Sequence, residues 1–191
     1  YQTDRYSHCE NDELVVGQLK TFNHLANEDK WLDAATNKWR GISALGVVKG
    51  DIDDLGTIFH QGLDEPTFAK MAALSRQVNS FFAVFLPWLC RTKYRDTYII
   101  FAGGDDFFFL GPWKQQIELA NELRVAFKHY VADNPSIHFS AGIAVVKPGL
   151  PVYQIAEMGE KALVSAKKYG SGTSDGGYKN AVTCFDQTVS W

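Results

Sequence analysis

Two clusters of carboxylates interrupt apolar segments of this chain, and their residue types suit metal-dependent chemistry. The stretch FAGGDDFFFLGPW contains Asp105 and Asp106 directly after two glycines, inside the most apolar region of the sequence. The stretch GDIDD, at the end of another apolar run, contains Asp51, Asp53 and Asp54. Neighbouring charges in apolar surroundings are costly unless a basic side chain, a shared proton or a divalent cation offsets them.

A divalent cation explains these acids better than the nearby basic residues do. Arg91, Lys93 and Arg95 precede the next predicted strand, which separates them from the glycines by roughly 20 Å if it is extended. Oxygen ligands without adjacent His or Cys favour Mg²⁺ or Mn²⁺ over Zn²⁺. Carboxylates from two strands that hold such an ion against substrate phosphates are what phosphoryl and nucleotidyl transfer need. The alternative is a plain glycine hairpin with solvated aspartates.

Glycines and lysines complete the candidate site. Gly103 and Gly104 permit a turn with positive φ and the close approach of a ligand. Backbone N–H groups of the turn that follows Asp51 are suited to cradling phosphates. Lys167 and Lys179 supply positive charge from the last predicted helix and from beyond a glycine-rich loop. The alternative for Lys167 is a solvated helix end that complements the helix dipole.

The elements that must position these residues follow the order β-α-β-β-α-β, with one further helix and strand. The first six elements match a ferredoxin-like split βαβ arrangement, in which the first strand lies between the third and fourth. The acids after the first strand then meet the hairpin between the second and third. We predict an α+β fold with an antiparallel sheet and helices on one face. The predicted strands are 42–53, 96–102, 106–111, 137–147 and 179–186, and the helices are 65–90, 111–132 and 151–170.

Composition limits the classes of function. The chain has 191 residues, of which 46% are hydrophobic, and a net charge of −3, which argues against one large basic surface for nucleic acid. Three widely spaced cysteines suit the reducing cytoplasm, and no apolar run reaches the roughly 20 residues of a membrane span. We predict one domain over residues 41–191. Residues 1–40 are expected to be a polar, partly helical remnant of a preceding region, with a candidate helix over 24–39.

Several motifs together resemble the palm-type nucleotide cyclase and polymerase superfamily: DID, GGDDF, SAGIA and AKKYG. The closer resemblance is to the second palm domain of the large signature subunit of type III-A CRISPR–Cas effector complexes. It covers residues 45–191 and rests on GDIDDLGTIF, FAGGDDFFFLGPW, SAGIAVVKPGLPVYQIAE and KNAVTCFDQTVSW. The resemblance implies a palm fold and a cyclic oligoadenylate synthetase. In such an enzyme the 3′-hydroxyl of one ATP attacks the α-phosphate of another, and the released product is a ring of 3′–5′ linked adenylates.

The resemblance also implies roles for individual residues. Asp51, Asp105 and Asp106 match the catalytic metal ligands, and the Ile52 carbonyl is a further ligand for Mg²⁺ or Mn²⁺. Asp53 is either a second ligand or a residue that faces the opposite side of the strand. The remaining nucleotide-binding positions comprise the phosphate-cradling turn, the hairpin glycines and two triphosphate contacts: Asp54, Leu55, Gly56, Gly103, Gly104, Lys167 and Lys179.

Departures from the related diguanylate cyclases indicate the nucleotide. Those enzymes carry Lys and a guanine-reading Asn where this chain has Gly56 and Phe59, and an Arg where it has Ser171. Neither Arg91 nor Arg95 has the Asp three residues later that their product-inhibition motif requires. The family resemblance therefore indicates ATP. The alternatives are a diguanylate-type or other nucleotide cyclase, and a catalytically silent palm that serves as a scaffold.

The expected partners follow from the family as well. They are ATP, a first palm domain of the same full-length subunit, and other subunits of the effector complex with guide and target RNA, without a membrane. The family's His-Asp nuclease motif does not occur among the five histidines of this sequence. Since only one set of palm motifs is present, the isolated chain is expected to be weakly active or inactive.

Overall fold

The computed structural model describes residues 3–6, 17–170 and 179–191. Three of its strands, at 45–52, 106–112 and 139–146, coincide with the most continuous apolar segments and are buried on both faces. The strands are β1 (Trp31–Asp33), β2 (Lys38–Arg40), β3 (Leu45–Ile52), β4 (Tyr98–Gly103), β5 (Asp106–Pro112), β6 (Phe139–Val146), β7 (Ala181–Cys184) and β8 (Gln187–Ser190). The helices are α1 (Phe22–Asn27), α2 (Leu55–Gln61), α3 (Phe68–Ser80), α4 (Leu86–Thr92), α5 (Trp113–Tyr130) and α6 (Val152–Lys167), with a π-helical turn at Phe81–Phe85.

The central sheet has the strand order β4-β5-β3-β6-β7-β8. Strand β3 pairs antiparallel with both β5 and β6, which confirms that the first strand of the palm lies between the third and fourth. Strand β7 was predicted but runs parallel to β6, so the expectation of a wholly antiparallel sheet is wrong at this pair. Strand β8, which pairs antiparallel with β7, was not predicted.

Alternating side chains of β3 enter two separate cores. Val48 and Ile52 pack in the larger core with residues of α3, α4 and α5. Val47 packs on the opposite face in a second core that includes residues of α1 and α6. The prediction of helices on one face therefore holds for α3, α4 and α5 and is wrong for α6. This helix lies so close to the sheet that a Cβ on Gly142 would be 2.1 Å from the backbone nitrogen of Leu163.

The segment before β3 is packed against the sheet as well. Thr21 and His24 form a capping box at the start of α1, and Leu25 and Ala26 are fully buried. The helix expected over 24–39 is wrong beyond Asn27, because β1 and β2 form a separate hairpin there. The boundary placed at residue 41 stays a prediction. No helix within the described residues combines the length and apolar character needed to cross a membrane.

Candidate active site

Asp51 and Asp106 are direct partners across the junction of β3 and β5. Side chains alternate along a strand, so Asp51 shares the face of Val47 and Lys49, the face covered by α6. Lys49 forms an ion pair with Glu160 of α6 at 2.7 Å. The two carboxylates thus meet at one end of the sheet, as the sequence predicted, and they lie beside the C-terminal part of α6.

Lys167, the last residue of α6, forms an ion pair with Asp51. The pKa of Asp51 is raised to about 6; burial is the main cause, hydrogen bonding to and repulsion from Asp106 add to the rise, and Lys167 opposes it. The carboxylates are therefore close enough to compete for one proton or to share one cation. The Lys167 ammonium group therefore contacts Asp51, and this contact argues against the alternative in which Lys167 is only a solvated helix end.

The hairpin between β4 and β5 differs by one residue from the sequence-based expectation. Gly103 pairs with Asp106, so the turn consists of Gly104 and Asp105 rather than of the two glycines. Gly104 has φ +64°, a conformation that favours glycine. The Asp105 carbonyl accepts a hydrogen bond from the Ile52 backbone nitrogen at 3.1 Å. The structure thus brings Asp51 and Asp106 together, and it ties Asp105 to β3 through its backbone.

The turn after β3 carries a second acid–lysine pair. Asp54 adopts φ 53° and directly precedes α2, so Leu55 and Gly56 form the first turn of that helix. The Lys179 ammonium lies 2.5 Å from the Asp54 carboxylate. Both predicted triphosphate contacts, Lys167 and Lys179, are therefore paired with acids of the GDIDD segment. Ser171 lies outside the described residues.

Asp53 has a different environment from the other acids. It is 1% exposed, and its Oδ2 atom lies within hydrogen-bond distance of His138 Nδ1 (2.7 Å), Ser140 Oγ (2.9 Å) and the Asn180 backbone nitrogen (2.9 Å). A carboxylate enclosed in this way does not reach a nucleotide in an open cleft. The geometry favours the alternative in which Asp53 is turned away from Asp51, and the expectation of a direct nucleotide contact finds no support in it.

The donor set fits a cation that is shared with substrate. Among the described residues, no group of three or more His, Cys, Asp or Glu side chains is arranged to hold a metal ion. Mg²⁺, however, is commonly held by one or two carboxylates together with substrate phosphates and water. Asp51, Asp106 and Lys167 line a cavity of about 150 Å³ with Phe101 and Glu160. Two facing carboxylates, of which Asp51 has a raised pKa, fit an ion that arrives with a polyphosphate.

Comparison with known proteins identifies the family of this chain. Residues 44–181 match the family model described as Cas10/Cmr2, second palm domain. The chain belongs to this family. A subtype III-A Cas10/Csm1 single-strand-specific deoxyribonuclease of Methanocaldococcus jannaschii is 34% identical over 167 residues, which are 79% of this chain and 21% of that protein. Its counterpart in Mycobacterium tuberculosis is 33% identical over 172 residues, 79% of this chain and 20% of that protein.

Solved structures with the same palm fold include Csm1–Csm4 cassettes. The cassette in complex with AMPPNP has a TM-score of 0.70 and 28% identity over 87% of this chain and 23% of that chain. The cassette in complex with cA3 has a TM-score of 0.70 and 27% identity with the same coverage. The predicted family and the palm fold are confirmed. This palm domain spans about a fifth of the length of the curated relatives above.

One residue that supports the hairpin of this palm domain escaped the sequence analysis. Asn79, near the end of α3, accepts a hydrogen bond from the Gly104 backbone nitrogen at 2.8 Å through its Oδ1 atom. Asn79 is exposed and follows the buried Val78, so its sequence context resembles that of any solvated helical position. Only the three-dimensional packing of α3 against the hairpin identifies it.

Proposed function

We propose that this palm domain is the nucleotidyltransferase centre that joins ATP into cyclic oligoadenylates for a type III-A CRISPR effector complex. The observation that carries the proposal is the pairing of Asp51 with Asp106, with Lys167 against Asp51. Two carboxylates and an ammonium group at one sheet edge suit a triphosphate with its divalent cation. Solved complexes of Csm1–Csm4 relatives with AMPPNP, pppApA and cA3 support adenine as the base.

Asp51 and Asp106 would hold Mg²⁺ or Mn²⁺ through their carboxylate oxygens. The Ile52 carbonyl and Asp105 are the further ligands that the family resemblance implies. The ion, when bound, neutralises charge on the triphosphate and favours ionisation of the attacking hydroxyl. The GGDD hairpin contributes by fixing Asp106 at the first position of β5, opposite Asp51.

Lys167 and Lys179 would exchange partners when substrate binds. Each forms an ion pair with an acid of the same segment, Asp51 and Asp54 respectively. A cation bound at Asp51 would neutralise this carboxylate, and the Lys167 ammonium group would then be available to contact the phosphates. Nucleotide and cation should therefore bind with positive coupling, since each relieves a charge that the other leaves unpaired.

The reaction needs little chemistry from the protein beyond binding and orientation. The 3′-oxygen of one nucleotide forms a bond to the α-phosphorus of another. The bond between the α- and β-phosphates breaks, pyrophosphate leaves, and the hydroxyl proton passes to solvent. In this scheme the two lysines and the backbone of Asp54, Leu55 and Gly56 hold the triphosphate, while Gly103 and Gly104 allow the hairpin to approach it.

The acceptor nucleotide requires a second palm domain. This chain carries one set of palm motifs, so we propose that it acts beside a first palm of the full-length subunit, in the cytoplasm, with further effector subunits and with guide and target RNA. The isolated chain should therefore bind ATP with a divalent cation yet form little product. Efficient cyclisation by the purified chain alone would contradict this part of the proposal.

Thermal unfolding with nucleotides tests the proposal on the chain as it stands. ATP with Mn²⁺ should raise the midpoint of unfolding, because ligand that binds only the folded state stabilises it. GTP with Mn²⁺ should raise the midpoint less. Asp51→Asn and Asp106→Asn should abolish the effect, whereas Asp186→Asn, at an exposed turn with positive φ that Asn tolerates, should retain it. A larger effect of GTP would favour a diguanylate-type cyclase, and the absence of any nucleotide effect would favour a silent scaffold.

A further inference from the structure

The buried carboxylate of Asp53 joins three parts of the chain at one atom. Its Oδ2 atom contacts His138 and Ser140, which lie before and within β6, and the backbone nitrogen of Asn180, which lies directly before β7. The Asp53 backbone nitrogen donates to the His138 carbonyl at 2.9 Å. Buried donors left without an acceptor are costly, so these contacts hold the three segments in one arrangement.

The segment that Asp53 holds also carries a candidate triphosphate contact. Lys179 and Asn180 adopt φ values of 39° and 44°, a left-handed conformation that costs energy in residues other than glycine and persists only when the surroundings enforce it. The Asn180 carbonyl accepts from the Trp191 backbone nitrogen at 3.0 Å. With the backbone bent in this way, the Lys179 ammonium lies 2.5 Å from Asp54.

We propose that Asp53 is a positioning residue: by holding the backbone of Asn180, it keeps Lys179 beside Asp54, where the lysine can reach a bound polyphosphate. This rests on the proposed function only in that Lys179 is taken to contact the triphosphate. The proposal assigns the two acids flanking Ile52 to different tasks. Asp51 faces the ligand, and Asp53 fixes the position of Lys179, a residue that is distant in sequence.

The first experiment measures the position of Lys179 without any nucleotide. Each lysine of the 191-residue chain is labelled with an acylating reagent, and the labelling rates are read by peptide mass spectrometry. Asp53→Asn should raise the rate at Lys179 by several-fold, because the ammonium group loses its fixed ion pair, and should leave the rate at Lys167 unchanged. An unchanged rate at Lys179 would overturn the proposal.

The second experiment measures the consequence for the ligand by calorimetry with AMPPNP and Mn²⁺. Asp53→Asn and Lys179→Ala should each weaken AMPPNP binding by about tenfold, a loss of one charge-assisted contact, while Mn²⁺ alone binds as before. The double variant should bind no more weakly than either single variant, since both remove the same contact. Additive losses, or weakened Mn²⁺ binding in Asp53→Asn, would indicate a general structural role and overturn the proposal.

A milder variant and a separate control complete the design. Ser140→Ala removes one of the three donors to Asp53 and should change the labelling of Lys179 in the same direction, by less, even if Asp53→Asn does not fold. If the proposed function itself is wrong, AMPPNP binding should be unchanged by Asp51→Asn, which distinguishes this outcome from a failure of the positioning role. Normal loss of binding in Asp51→Asn together with unaltered binding in Asp53→Asn would refute the positioning role alone.

Discussion

Asp51 and Asp53 are the same residue type, two positions apart, yet they lie in opposite environments. Asp51 faces Asp106 and Lys167 beside a small cavity. Asp53 lies past the last residue of β3 and is enclosed by His138, Ser140 and the Asn180 backbone. The difference shows that the position of each acid relative to the end of its strand decides whether its carboxylate can reach a ligand. Asp51, which is still within β3, lies on the sheet face that α6 covers, whereas Asp53, which follows the end of β3, is buried inside the protein.

The largest expected effect separates the two acids directly. Asp51→Asn should weaken Mn²⁺ binding by more than the roughly tenfold to hundredfold that loss of an outer-shell partner costs, with little change in the fold. Asp53→Asn should leave Mn²⁺ binding unchanged and lower the free energy of unfolding by about 1–3 kcal/mol, because a buried acceptor is weakened. Calorimetry with Mn²⁺ and urea unfolding of both variants make the measurement. Equal loss of Mn²⁺ binding in the two variants would remove the distinction.

A smaller effect is expected at the lysine that faces Asp51. Lys167→Met should weaken AMPPNP binding by about tenfold, the worth of one charge-assisted contact, and should raise the pKa of Asp51 further, because the opposing charge is lost. Lys168→Met is the matched control, since Lys168 is the adjacent residue and is exposed. Nucleotide titration and carboxyl NMR would follow both changes. Equal losses in the two variants would assign the effect to general charge.

The pH dependence of Mn²⁺ binding should follow the ionisation of Asp51. Because burial raises the pKa of Asp51 to about 6, protons compete with Mn²⁺ below that value, and affinity should rise between about pH 5 and 7 and then level off. The stability of the fold depends on pH in the opposite direction to Mn²⁺ affinity. A raised folded-state pKa contributes stability that is complete below the unfolded value and is lost as pH rises through about 6. Mn²⁺ titrations across this range should lose their pH dependence in Asp51→Asn.

The smallest effect concerns the support of the hairpin that faces Asp51. Asn79→Ala removes the acceptor for the Gly104 backbone nitrogen and should lower the free energy of unfolding by about 0.5–1.5 kcal/mol, the usual worth of one hydrogen bond. Hydrogen exchange at Gly104 should accelerate. Ser75→Ala, on an exposed position of the same helix, is the control and should change neither quantity.

The sequence was sufficient to predict that Asp51 and Asp106 meet. Apolar runs located the strands, and the split βαβ order then required β3 to lie beside β5. It could not reveal that Asp53 is enclosed, because its partners His138 and Asn180 are 85 and 127 residues away along the chain. Contacts of this kind leave no periodic pattern in the sequence.

The placement of α6 escaped prediction for a related reason. Its apolar spacing predicts a helix with one buried side, but the pattern is the same whichever face of the sheet it covers. The deciding feature is Gly142, where α6 approaches the backbone of β6, and a glycine within a strand indicates only that something comes near. Strand β8 is short and mostly exposed, so it lacks the apolar run that identified the predicted strands.

The hydrogen atom that Gly142 carries in place of a methyl group sets the depth at which α6 rests on the sheet. Leu163, the residue that a methyl group would strike, lies four positions before Lys167, which is about one helical turn. Any side chain at 142 would therefore lift the end of the helix and carry the Lys167 ammonium away from Asp51. The distance between Lys167 and Asp51 therefore depends on Gly142, where α6 comes nearest to the sheet. Gly142 belongs to β6, which carries none of the proposed metal ligands.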